Sequence, residues 1–291
     1  MGFGQMAAAD TKGFRWGVER RLEFVEFRLF WEGGVNRSDI VSEFGVSVPQ
    51  ASKDLALYQE QAPANIVYDR SEKRYFASDT FRPKFIDLDA AAYLDRLAPT
   101  SGIGGDTHTT LVADRLPIPQ RHIVSNSLRS LLGAVRGNRS IEILYQSMSE
   151  ARPEPLWRRV SPHAFASDGL RWHARAYCHI DNKFKDFILS RCLDCRSLGE
   201  PGSVPGCDEL WNSHFQVILI PNPALTTGRQ NVVAQDFAME DGRVVVPVRR
   251  AMLYYFSKRL RLDLGAGDPR ETPVVVSNRE EFDSALSEAM R

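Results

Sequence analysis

The spacing of hydrophobic positions changes character along this chain. Near the N-terminus they recur every three to four residues, the period of a helix. In FRWGVERRLEFVEFRLFWEGG, Trp16, Arg20, Phe24, Phe27 and Trp31 share one stripe. Val18, Leu22, Val25 and Leu29 broaden it, and Gly33-Gly34 supply a stop. A two-turn helix follows the N-cap residue Asn36, with Ile40, Val41 and Phe44 inward and Gly45 at its end. Ser47 caps a third helix, with Pro49 in its first turn and Val48, Ala51, Leu55 and Tyr58 as its buried stripe. Ile66-Val67-Tyr68 and Arg74-Tyr75-Phe76 then flank a polar turn, Arg70 to Lys73. Three helices and this hairpin predict a winged helix-turn-helix over residues 12–85.

Residues 86–137 read as a helical connector. It holds a helix from about Asp87 to Leu97, a Gly/Thr-rich loop, TSGIGGDTHTT, and a helix striped by Ile123, Leu128, Leu131, Leu132 and Val135. From Ser140 the period drops to two, which predicts strands. Ile141, Ile143, Tyr145 and Ser147 share one face of the first strand. Trp157 to Cys178 forms two more, joined at Ser167-Asp168-Gly169, and KDFILSRCL, residues 185–193, forms another. These short strands predict a small, strongly bent β-domain or barrel over 138–200. PGSVPGCDEL, residues 201–210, reads as a linker. Beyond it, residues 208–291 read β-α-β-β-α-β, with a hairpin over Asp241-Gly242 and a last helix capped by Asn278. That order is ferredoxin-like. The expected fold class is therefore multidomain α+β.

Charge adds a constraint. The 291 residues carry 37 Lys+Arg and 37 Asp+Glu, so nucleic-acid binding has to come from a local patch. Residues 12–85 hold 12 basic and 11 acidic residues, and here distribution matters more than balance. The third helix offers Ser47, Pro49, Gln50, Ser52 and Lys53 near its start, with only Asp54 acidic, and the wing offers Arg70, Lys73 and Arg74. From those positions base edges and phosphates are reached. No stretch reads as a signal peptide or a membrane span, and four cysteines fit a reducing compartment, so a cytoplasmic protein is expected.

Candidate chemistry concentrates in GLRWHARAYC. A period of two puts Arg171, His173, Arg175 and Tyr177 on one face and Trp172, Ala174, Ala176 and Cys178 on the other. The polar face is either solvated, with ion pairs to Asp168, Asp181 or Asp186, or a site for a planar anion. Tyr145, Ser147, His163, Arg171, His173, Arg175 and Arg191 are the candidate set for a nucleotide or nucleic-acid end. A metal is not expected. His163 and His173 lack an acidic or cysteine ligand at standard spacing, and the neighbouring arginines repel cations. Cys192-x-x-Cys195 has no second ligand pair, so it and Cys178 and Cys207 read as fillers or surface thiols. Pairing His163 or His173 with Ser147, Ser161 or Ser190 leaves no orienting acid, so no catalytic set and no cofactor are assigned. A nucleotide-processing enzyme using the same pocket is the alternative reading.

IEILYQS, RRVSPHAF, GLRWHARAYC and FILSRCL, behind a winged helix, resemble the WYL-domain transcriptional regulators. Within them the chain is similar to the BrxR/CapW-type branch, which controls bacterial phage-defence operons. The resemblance covers about residues 14–290. The eponymous Trp-Tyr-Leu stands here as Trp172-His173-Ala174, so ligand preferences of other branches do not carry over. The resemblance implies an Sm-like β-barrel, a homodimer built through the C-terminal extension, and a double-stranded DNA operator. It also implies repression relieved by a nucleotide or nucleic-acid effector.

Overall fold

The computed structural model describes residues 14–97, 113, 116, 118–264 and 267–290. It divides into two compact units, residues 1–117 and 118–291. The Gly/Thr-rich loop falls outside the described residues.

In the first unit, α1 (Trp16–Trp31), α2 (Arg37–Phe44) and α3 (Val48–Gln61) are followed by the hairpin β1 (Ile66–Asp69) and β2 (Arg74–Ala77) and by α4 (Ala90–Leu97). Local chemistry sets the boundaries. Asn36 and Asp39 form a reciprocal capping box, Gly45 turns left-handed at φ 62°, and Ser47 caps α3. Gly34 sits at φ 123°, and a Cβ there would lie 2.5 Å from the Tyr75 carbonyl, so only glycine lets the Val35–Tyr75 bridge form. That bridge adds a second, one-residue pairing to the wing, beside β1–β2.

Two helix stripes differ from expectation. The buried line of α1 is Leu22, Val25 and Leu29, which the sequence pattern treats as flanking, while Trp16 is exposed. Trp31 serves a different neighbour, stacking on Tyr93 of α4 at 4.5 Å. In α3, Ala51, Leu55 and Tyr58 are buried, but Val48 is exposed because the helix has only just begun there.

The polar anchor of this unit is Glu26, fully buried on α1. It accepts the Tyr58 hydroxyl at 2.8 Å and the backbone N–H groups of Lys84, Phe85 and Ile86 at 3.0, 2.5 and 2.9 Å. One carboxylate thus fixes the chain that leaves the wing.

The second unit begins with α5 (Ser125–Arg136), followed by β3 (Ser140–Tyr145), β4 (Leu156–Ser167), β5 (Trp172–Cys178), β6 (Lys183–Ile188) and β7 (Cys192–Gly199). All pairings are antiparallel, in the order β6-β5-β4-β3-β7. The expected single strand over 185–193 is two strands, split by a 3-10 turn at Leu189–Arg191. That turn joins the two edge strands. Three residues reach at most about 10 Å, so the sheet is curled nearly shut. No β6–β7 ladder closes it, and among the described residues it is not the barrel that was expected. Leu131 and Ala134 of α5 pack with Ile141, Ile143, Val160, Ala174, Ala176 and Phe187 to form its core.

A short helix, α6 (Glu209–Asn212), leads to β8 (His214–Pro221), α7 (Thr227–Asp236), β9 (Val244–Arg249), α8 (Leu253–Arg259), β10 (Val274–Val276) and α9 (Arg279–Met290). The sheet is three-stranded, β10-β8-β9. The fourth strand of the ferredoxin-like expectation is reduced to a single Glu240–Arg243 bridge. The reason lies in α7. The N–H groups of Phe237, Ala238 and Met239 are spent on the carbonyls of Val233, Gln235 and Ala234, which ends the helix and leaves no ladder donors. The Asn278 side chain also departs from its expected capping role. It accepts from the Ile218 N–H and donates to the Gln216 carbonyl, extending the edge of β8 beyond β10.

Replacing Glu26 by alanine leaves the Tyr58 hydroxyl and three amides without their acceptor. A loss of about 3 kcal/mol is expected, measured by urea unfolding, with Glu26→Gln losing less. Equal stability of Glu26→Ala and wild type in that titration contradicts the anchoring role.

Candidate functional site

The DNA-facing candidates sit on α3 and the wing. Val48, Pro49 and Lys53 are exposed along the first turns of α3, and Arg70 and Lys73 are exposed at the wing tip. Asp54, the one acid expected on that face, is instead buried and holds Arg21 through two bonds of 2.6 and 3.2 Å. The start of the helix therefore presents no exposed acid. Other candidates are partly committed to local bonds. The Gln50 amide donates to Asp54 at 3.0 Å, the Ser52 hydroxyl donates to the Val48 carbonyl, and the Ser47 hydroxyl caps the helix. Arg74 is half-buried and turns back to the Gly34 carbonyl at 2.9 Å and Asp39 at 3.2 Å, so it braces the wing rather than tipping it.

In the second unit the seven candidate residues do not converge. Tyr145 shares the core face with Ile141 and Ile143, packs edge-on against Phe187, and accepts from the Ile188 N–H. Burial raises its pKa, opposed by that amide and by the Arg191 guanidinium beside it. Ser147 lies past the end of β3, where its hydroxyl accepts from the Ser149 N–H. The other four, His163, Arg171, His173 and Arg175, do share one face. His163 joins them by alternation from Ser161, which pairs with Tyr177; the bulge between Pro162 and Ala164 shifts only the register beyond it.

That face is covered, not solvated. Arg175 is buried on β5. Its Nε and Nη2 grip the Asp208 carboxylate at 2.7 and 3.0 Å, and its Nη1 reaches Asp186 on β6 at 3.3 Å. His163 Nε2 donates to the same Asp208 oxygen at 2.9 Å, and its ring meets Phe184 and Trp211 edge-on. Asp208 also caps α6 by accepting the Trp211 N–H. On the other flank, Asp168 accepts from Arg171 at 2.8 Å and from His173 at 3.3 Å. Tyr255 of α8 packs against the His173 ring at 4.6 Å, tilted by 50°, and donates to Asp186 at 3.1 Å. Arg259 of α8 donates to the Asp168 carbonyl. His173 Nδ1 is buried without a partner.

Asp208 and Tyr255 are the residues that reading the sequence missed. For Asp208 there was a signal. It is an N-cap residue type standing immediately before ELWN, in a segment otherwise read as linker. Tyr255 gave none, since an aromatic on an amphipathic helix reads as core. Asp168 and Asp186 were the ion-pair partners named for the solvated alternative, and they do pair. Among the described residues no group of three His, Cys, Asp or Glu is placed to hold a metal. The cysteines are free thiols, and burial pushes Cys192 up to about 12, far from a reactive thiolate.

Three family models match the chain. They are the BrxR winged helix-turn-helix domain over residues 17–99, the WYL domain over 126–197, and the BrxR C-terminal dimerization domain over 214–282. Three curated relatives, each named DNA-binding transcriptional repressor CapW, align over nearly the whole chain. The one from Stenotrophomonas maltophilia is 38% identical over 295 residues, covering 97% of both chains. The Pseudomonas aeruginosa relative is 36% identical over 285 residues, covering 96% of this chain and 95% of its own. That of Escherichia coli strain KTE188 is 34% identical over 292 residues, covering 98% and 97%.

The chain belongs to the CapW family of DNA-binding transcriptional repressors.

CapW proteins are regulators, not enzymes, in agreement with the lack of a catalytic set in the sequence. A solved structure, proteasome accessory factor B/C of Arthrobacter aurescens, aligns with 93% of this chain and 46% of its own at 17% identity. Its TM-score of 0.29 carries no fold argument. Relative to the matched models of the CapW chain, Arg175, His173 and His163 lie in the WYL stretch and Tyr255 in the dimerization stretch. Asp208 lies between the two.

Electrostatics follow from this packing. Burial raises the pKa of Asp208, but the bonds from His163 and Arg175 outweigh it and bring it down to about 2. Asp168 likewise comes down to about 2, burial being overcome by Arg171 and by the Leu170 and Arg171 amides. Burial lowers the pKa of His173, against the opposing pull of Asp168.

Two outcomes are expected. Arg175→Ala strands Asp208 and Asp186 and costs about 3–5 kcal/mol, whereas the more exposed Arg171→Ala costs less than about 1 kcal/mol; urea unfolding of both variants checks this ranking. Because the folded pKa values of Asp208 and Asp168 are depressed, their stabilisation is present above about pH 4 and disappears as pH falls towards 2. Unfolding midpoints measured from pH 5 to 2 should fall steeply, and Asp208→Asn should flatten that slope.

Proposed function

We propose that this chain is a homodimeric repressor that binds an inverted-repeat operator through its winged helix. The observation that carries this reading is the start of α3. Val48, Pro49 and Lys53 are exposed there, with the Arg70 and Lys73 wing tip alongside and Asp54 withdrawn into the core. Such a helix presents cationic and apolar groups to a major groove, and the wing reaches phosphates. The CapW relatives carry the name of DNA-binding repressors, and the dimerization model supports two-fold symmetry, which an inverted repeat would match.

In this reading the chain controls a phage-defence operon in the cytoplasm. Its activity is modulated by a nucleotide or nucleic-acid effector at the His163–Arg175 face. Ligand binding shifts DNA affinity only as far as it favours one dimer geometry over another. The cluster of Arg175, Arg171 and His163 supports an anionic ligand. Tyr145 and Arg191 lie apart and are assigned to the core side of the β3–β7 sheet.

Lys53→Ala and Arg70→Ala should each weaken retardation of the upstream operator in a gel, and each should lower the slope of log K against log salt by about 1. Arg74→Ala should change stability more than that slope. Unchanged affinity and slope in the Lys53 and Arg70 variants would remove α3 and the wing from the interface.

A further inference from the structure

The segment 200–212 is a strap with two grips. On the β-sheet side, the Gly202 N–H donates to the Ser161 hydroxyl at 2.9 Å, and Ser161 pairs with His179 Nε2 at 2.9 Å. The fit is close: a Cβ on Gly202 would lie 2.6 Å from the His179 ring. Asp208 makes the second contact of this grip, on Arg175 and His163. On the C-terminal side, Arg249 of β9 stacks over Trp211 at 4.8 Å and donates to its carbonyl at 2.5 Å, while the Arg250 N–H bonds the Ser213 carbonyl. The strap thus ties the β3–β7 sheet to the β8–β9 sheet.

The Asp208 carboxylate receives four donors: two from Arg175, one from His163 and one from the Trp211 amide. This is the donor pattern a phosphoryl group takes, and a phosphate dianion accepts more strongly than a carboxylate. Beside it opens a cavity of about 420 Å³, lined by Arg175, Lys183, Lys185, Asp186, Asp208 and Tyr255 among others. Asp186 holds the Arg175 guanidinium from β6, and Tyr255 holds Asp186 in turn, so the arginine stays oriented when Asp208 leaves.

We propose that Asp208 is a resident stand-in for the effector's anionic group. A phosphoryl group entering through this cavity takes its place on Arg175 and His163 and frees the 200–212 strap. The inference rests on the effector-site reading above and adds its mechanism. Displacement of Asp208 removes one of the two contacts of the sheet-side grip and leaves the Gly202–Ser161 bond to hold it alone, while the Trp211 grip stays with β9. The ligand therefore changes how the β8–β10 sheet is held against the β3–β7 sheet. The ligand class is a phosphate monoester, from a free nucleotide or from a nucleic-acid 5′ end.

The test uses the full chain with inorganic phosphate, AMP, and a single-stranded tetranucleotide with or without a 5′-phosphate. Binding is measured by calorimetry, and strap release by hydrogen exchange at the Gly202 and Trp211 amides. Asp208→Asn keeps a side-chain oxygen for the α6 cap but removes the competing charge. It should bind the preferred phosphate probe at least about tenfold tighter than wild type, the factor expected when a charge-assisted competitor is removed. Saturating probe should speed exchange at Gly202 in wild type, and Gly202 should already exchange faster in unliganded Asp208→Asn. Asp186→Asn removes an equal charge from the same guanidinium without touching the strap, and it should leave Gly202 exchange unchanged. AMP preferred over the tetranucleotides identifies a free nucleotide as the source, and the reverse, with dependence on the 5′-phosphate, identifies a nucleic-acid end. Phosphate binding that is equal in wild type and Asp208→Asn, with no change at Gly202, overturns the stand-in role and leaves the effector site intact. Equal tightening in Asp208→Asn and Asp186→Asn without strap release also overturns it. No binding by any probe to either protein overturns the effector-site reading as well.

Discussion

The second unit depends on one buried cation. A guanidinium removed from water is tolerated only where carboxylates and further hydrogen bonds replace its hydration. Arg175 finds two carboxylates, and they come from different places. Asp186 is on the neighbouring strand, and Asp208 lies 33 residues along the chain. The first pairing is local to the sheet. The second requires the strap to cross the polar face, and so it decides where the C-terminal sheet sits relative to β3–β7. Tyr255 completes the arrangement by bonding Asp186 and covering His173.

The winged helix meets the same requirement with the signs reversed. There the buried charge is the Glu26 carboxylate, and its partners are backbone amides of the segment leaving the wing. In each unit one buried charged side chain on a regular element captures an irregular stretch of chain. Apolar packing forms the elements, and the buried charge fixes the connections between them. The Arg21–Asp54 pair has a similar effect on function. It binds α1 to α3 and at the same time clears the only acid from the start of the helix proposed to meet DNA.

Much of this was legible from residue spacing. The caps at Asn36, Gly45 and Ser47 are local chemistry and appear where the pattern places them. The alternation in β5 correctly separates Ala174, Ala176 and Cys178, in the core, from His173 and Arg175 on the other face. What alternation cannot give is the cover on that second face, because the cover comes from Asp208 and Tyr255, far along the chain. Tyr145 was misplaced for a related reason. A period of two fixes faces within a strand, but which face of β3 aligns with which face of β5 depends on the registers of β3 on β4 and of β4 on β5. The lost fourth strand at residues 237–240 reflects competition, since those amides finish α7 first.

The composition of the covered face bears on why it suits a sensor. A junction made of leucines and valines would be held by area, and no small polar ligand would loosen it. Here the junction is held by charged pairs whose net contribution is modest, since desolvation offsets most of their attraction. Removing one partner is costly, but exchanging it for an equivalent anion is nearly neutral, because the donors around Arg175 and His163 remain satisfied. An interface of this kind resists thermal opening yet yields to a ligand that reproduces the contact it breaks. With Asp208 as the exchangeable partner, occupancy of the site and attachment of the strap through Asp208 exclude each other, and that exclusion couples the sheet to the strap.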